Sequence, residues 1–145
     1  MLYKYIIEHV PDEIARYIHE FVDPETTWVQ TQIEKLNVND SGWIIGRNKT
    51  SPRNTIKDRH AFLNIIQAMK EIPCLVVPAV SATRGSYGLK HVLERFRGKY
   101  SNGNNYISNG EFICAMILLG FKYKTPDCLN LEFKVKKNKS VPFVF

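Results

Sequence analysis

The sequence predicts a helix-rich α+β domain of about five helices spanning residues 1–145, with a small antiparallel β-ribbon near the C-terminus. Three observations carry this. Apolar residues recur at helical spacing in five stretches, opened by proline, aspartate, serine or asparagine. Beyond Gly120 the period changes to two, as in half-buried strands. No internal repeat and no long linker divides the 145 residues, and a chain of that length buries about 70% of the surface it exposes when unfolded.

The elements follow in order. Pro11-Asp12-Glu13 opens a first helix, since proline suits the first helical position and early carboxylates oppose the positive end of the dipole. Ile14, Tyr17, Ile18, Phe21 and Val22 give its apolar stripe. Asp23-Pro24-Glu25 opens a second, to about Leu36, so residues 1–40 form an acidic helical pair. Trp43-Ile44-Ile45 reads as a short strand, followed by a long basic loop to Lys57. A third helix, Asp58 to Glu71, is apolar around most of its circumference and is expected at the centre. Ile72 to Val80, with two prolines, suits a short buried extended segment.

Ser86 caps a fourth helix, Tyr87 to Arg97, whose Leu89, Val92, Leu93 and Phe96 make one face while Lys90, His91, Arg95 and Arg97 point elsewhere. Ser108 or Asn109 caps a fifth, ending at Gly120 and apolar all round. The ribbon pairs the alternating Phe121–Lys124 with Leu129–Lys136, placing Leu131, Phe133 and Val135 inward and lysines outward. Residues 140–145 add an edge strand or dock on the core.

Composition is that of an ordinary globular domain, 44% hydrophobic and 23% charged. Three widely spaced cysteines, Cys74, Cys114 and Cys128, read as reduced thiols and imply a reducing, intracellular setting: host cytoplasm, nucleus or virion. No export signal and no run of 18 apolar residues is present, so no membrane partner is expected.

Charge is divided. Residues 1–40 carry three basic and eight acidic side chains, net −5; residues 41–145 carry seventeen and six, net +11. An excess of that size attracts polyanions, either nucleic acid or an acidic protein surface. Three elements hold it: the loop with Arg47, Lys49, Arg53, Lys57 and Arg59; the helix region with Arg84, Lys90, Arg95, Arg97 and Lys99; and the ribbon from Lys122 to Lys139, with Lys134 and Lys136. Tyr87, Tyr100 and Tyr106 are available to stack on unpaired bases. A solvated basic surface is the bland alternative, and lysines on an outer strand face also block edge-to-edge aggregation.

Catalytic patterns are weak. Residues 86–119 have the outline of a helix-turn-helix, but Phe112 to Leu119 offers no polar side chain to base edges. Asp127, Glu132 and Lys134 spell the PD-(D/E)xK nuclease signature, in which two carboxylates hold a metal. Only four residues separate the carboxylates, so the aspartate falls at the turn with opposite parity. Gly42 to Arg47 is too short between its glycines for a phosphate loop. The chain holds no CxxC, HExxH or GxSxG, and His9, His19, His60 and His91 are scattered. No cofactor or metal is expected.

The stretch Gly85-Ser86-Tyr87-Gly88-Leu89-Lys90-His91, with Tyr106 to Ala115, resembles short uncharacterised proteins of phages, mobile elements and large double-stranded DNA viruses. The resemblance implies a viral or mobile-element origin; no activity and no functional residue comes with it. The leading expectation is a protein that binds nucleic acid with little sequence specificity. The second is a virion or interaction module that forms homo-oligomers, the acidic pair of one copy meeting the basic region of another. A metal-dependent nuclease ranks third.

Overall fold

A computed structural model describes residues 32–45, 59–100, 105–124 and 128–140. It is an α+β fold with three α-helices, a 3-10 turn and two antiparallel sheets among those residues. The expected first helix lies outside the described residues; of the second, residues 32–35 are helical.

Val38–Asn39 (β1) and Gly42–Trp43 (β2) form a small hairpin. The Asn39 side chain accepts the Ser41 N–H at 3.0 Å, closing the turn locally. Arg59–Glu71 (α1) buries Ala61, Ile65, Ile66, Ala68 and Met69 and leaves Leu63 44% exposed, so it faces solvent on one side. The expected central position belongs instead to Asn109–Leu118 (α3), where all but Ile117 are buried. Its apolar circumference requires this: no polar face exists to turn toward water.

Helix α3 is delimited by its own sequence. Ser108 accepts the Glu111 N–H at 3.0 Å while Glu111 accepts the Ser108 N–H at 2.8 Å, a complete capping box. At the other end Gly120 takes φ +88°, and the N–H groups of Gly120 and Phe121 donate to Ile117 and Met116 carbonyls. That is a Schellman termination, with Phe121 buried against the core.

Two expectations about strands are corrected. Ile72–Cys74 is a 3-10 turn, built around Pro73, and the extended segment runs on from Val76 to Gly85 as β3. The C-terminal ribbon, Tyr123–Lys124 (β4) with Glu132–Lys137 (β5), is two thirds of a three-stranded sheet in the order β3-β5-β4. Strand β3 covers the other side of β5, pairing Val76–Pro78 with Lys137–Val135 and Thr83–Gly85 with Lys134–Glu132. The register jumps between Pro78 and Thr83, so residues 79–82 bulge from the sheet with Val80 92% exposed. Alternation on β5 holds: Leu131 before it, and Phe133 and Val135 within it, are fully buried.

Strand β3 leads directly into Ser86–Tyr100 (α2). Ser86 ties this junction to the other elements, its hydroxyl donating to Asn109 Oδ1 at 3.0 Å and accepting the Leu131 N–H at 3.2 Å. Asn109 in turn donates to Ser41 O and Asn130 Oδ1. The hairpin, the sheet and both helices therefore meet at the start of α3.

Candidate functional site

Folding takes Glu71 and Glu111 inside together with two of the cations, Lys90 and Arg97. Glu71 is fully buried and accepts Arg97 through Nε at 2.8 Å and Nη2 at 2.7 Å. Burial pushes its carboxyl above the usual range, partly offset by the guanidinium. Arg97 also donates to Asn64 Oδ1 at 2.7 Å and to Tyr106 O at 3.2 Å. Glu111 is held in its capping box and by Asn64 Nδ2 at 3.1 Å; burial raises it too. Glu94 accepts Lys90 Nζ at 3.1 Å and contacts His91 Nδ1 at 2.8 Å.

These contacts remove two residues from the expected binding surface. Lys90 is 5% exposed and Arg97 3% exposed. The two are seven residues apart, two helical turns, so both lie along the buried side of α2 with Leu93. Lys90 Nζ donates to Ile107 O at 3.0 Å and lies 5.0 Å from the Tyr106 ring and 5.7 Å from that of Tyr87. Lys90 and Arg97 thus fasten α2 to residues 105–107 and to α1, and their charge is taken up inside.

Most of the other described basic residues are exposed. Arg84, Arg95 and Lys99 are exposed around α2. On the sheet, Lys134 and Lys136 project opposite the buried Phe133 and Val135; Lys136 is exposed and Lys134 half-buried. Lys124 pairs with Glu132 in register, and Lys122 accepts the Lys134 N–H through its carbonyl at 2.9 Å. Pairing residues across antiparallel strands share a face, so Lys122, Lys124, Lys134 and Lys136 line the outer side of the sheet. Among the described residues 59–140, Glu132 is the one exposed acidic side chain. Arg47, Lys49, Arg53 and Lys57 lie outside the described residues, and Arg59 opens α1.

Two hollows bring these cations together. Arg84 and Arg95 flank a groove of about 480 Å³ between the end of β3 and α2. Lys122 and Lys134 border a second, of about 360 Å³, beneath the β3 bulge at Pro78, Ala79 and Val80. Both open beside β3.

Aromatic rings are divided in the same way. Tyr87 and Tyr106 are 52% and 51% exposed, whereas Tyr100 is half-buried with its ring 4.9 Å from Phe96. Tyr87, His91 and Arg95 fall at successive i, i+4 positions on the solvent side of α2, with the His91 ring meeting Tyr87 edge-on at 4.5 Å. Tyr123, which sequence reasoning did not single out, is 39% exposed and lies near Trp43 and Phe133.

Glu132 and Lys134 do project from one side of β5, while Asp127 lies outside the described residues. No group of three or more His, Cys, Asp or Glu is placed to hold a metal among the described residues. No described helix is long and apolar enough to cross a membrane. In comparison with known proteins, no family model matches the chain, and no curated protein or solved structure shows significant similarity to it.

Proposed function

We propose that this chain binds nucleic acid with little sequence specificity, through the exposed basic residues of the α2 rim and those of the outer side of the three-stranded sheet. The observation that carries the reading is the make-up of the exposed charge among the described residues 59–140. Glu71 and Glu111 are buried and Glu94 is engaged by Lys90, while Arg84, Arg95, Lys99, Lys122, Lys124 and Lys136 remain exposed. A surface depleted of carboxylates attracts phosphates over distances of about 8–10 Å at physiological salt. Tyr87 on α2 and Tyr106 beyond it are exposed, which favours single strands, whose bases are open to stacking. Base-edge readout has little support: the apolar α3 offers nothing to a groove.

The test is a titration of labelled single- and double-stranded DNA and RNA of two unrelated sequences at low salt. Binding that tightens at low salt, differs little between sequences and favours single strands is expected. Absence of binding to all of them at low salt overturns the proposal.

A further inference from the structure

The groove at the β3–α2 junction has a lining suited to one kind of ligand. Arg84 enters from the end of the strand and Arg95 from the helix, and among the described residues the remaining lining is Gly85, Gly88, Leu89 and Val92, none of them a carboxylate. Both arginines are exposed. A Cβ built on Gly85 or Gly88 would meet nothing within 4 Å, so the backbone here stands open to an approaching ligand. Paired guanidinium forks match the geometry of phosphate oxygens better than point charges do. The volume, about 480 Å³, exceeds what a lone inorganic anion needs and suits a nucleotide-sized segment. Arg95 also belongs to the Tyr87–His91–Arg95 row, whose ends lie eight residues apart, about 12 Å along the helix.

We infer that this groove seats a backbone phosphodiester of single-stranded nucleic acid between Arg84 and Arg95, with an adjoining base stacked on Tyr87. The inference rests on the nucleic-acid reading above and assigns to it a specific site, one that treats phosphate and base separately. Arg84 and Arg95 hold the charge; Tyr87 holds the base.

Two oligonucleotides separate these roles: a labelled dT20 and an abasic strand with the same number of phosphates. Against the wild-type chain, Arg84→Gln/Arg95→Gln is expected to weaken both, and to make the log–log salt dependence shallower by about 0.7 for each phosphate that is no longer neutralised. Tyr87→Leu is expected to weaken dT20 about tenfold and leave the abasic strand unchanged. All three side chains are exposed, so the variants keep the wild-type melting transition, which is checked alongside. If the wild type binds and Arg84→Gln/Arg95→Gln retains its affinity and salt slope, the groove assignment is wrong while the broader reading stands. If the wild type binds neither strand at low salt, both fall. A Tyr87→Leu loss equal on both strands contradicts the stacking role.

Discussion

Gly110 sits where the β1–β2 turn crosses the start of α3, and a Cβ there would collide with the Asn39 carbonyl and crowd Asp40. Backbone cannot step aside as a flexible side chain would. Gly110→Ala is therefore expected to destabilise the fold by about 1–3 kcal/mol, read as a lowered urea midpoint at unchanged slope. Gly88 is the contrast, because open space surrounds it inside a helix; Gly88→Ala should stabilise by about 0.5–1 kcal/mol.

Glu111 supplies a pH dependence. Burial favours its protonated form, so its folded pKa lies above the ordinary 4.5. The stability associated with that proton is fully present below pH 4.5 and is lost as pH rises through the folded value. Glu111→Gln keeps an acceptor for Ser108 and Asn64 but has no proton to lose. Its stability relative to wild type should accordingly increase as pH rises from 4.5, measured by chemical denaturation across the range; a constant difference would contradict the assignment.

At the scale of elements, termini decide much. Gly120 terminates α3 in the left-handed region, and Gly120→Ala is expected to cost about 1–2 kcal/mol, seen as a lower melting temperature. This helix was legible in the sequence because Ser108, Glu111 and Gly120 mark its two ends chemically, and its unbroken apolar run announces burial. Helix α1 was legible to within a residue for the same reason of periodicity. Helix α2 runs to Tyr100 rather than stopping at Arg97, since Gly98 is carried through by the packing of Phe96 and Tyr100.

Strand β3 was legible only in its first half. Residues 79–85 are mostly exposed and include a four-residue bulge, so neither alternation nor an apolar run marks them as sheet. Their strand state comes from pairing with β5, about fifty residues away in sequence, which no local pattern encodes.

Lys90 and Arg97 show the same limit at the site. Each looks like a surface cation beside Arg95, and the heptad spacing that turns both inward was visible. What makes burial tolerable was not: the carboxylate receiving Arg97 comes from Glu71, 26 residues earlier. Lys90 is the partial exception, its Glu94 partner standing at i+4. The outward lysines of β5 were readable because Phe133 and Val135 fix the parity of the whole strand.

At the scale of the molecule, the exposed charge of the described residues 59–140 is more one-sided than their sequence alone suggests. Glu71, Glu94 and Glu111 are taken up as internal partners and a cap, while most described lysines and arginines stay in water. Strand β3 contributes to both sides of the sheet: Thr83 pairs with Lys134 on the outer side, while Arg84, paired with Phe133, lies on the opposite side at the groove beside α2. Such a surface is expected to act through counterion release, a property of the molecule rather than of any one side chain.

The most direct test of that claim is the salt dependence of dT20 binding, compared between the wild type and a Lys122→Gln/Lys124→Gln/Lys134→Gln/Lys136→Gln variant. For the wild type, log K should fall linearly with log salt, and the variant's slope should be shallower by up to about 2.8 if each lysine neutralises one phosphate. A wild type that does not bind at low salt, or a variant with the wild-type slope and affinity, would contradict the account.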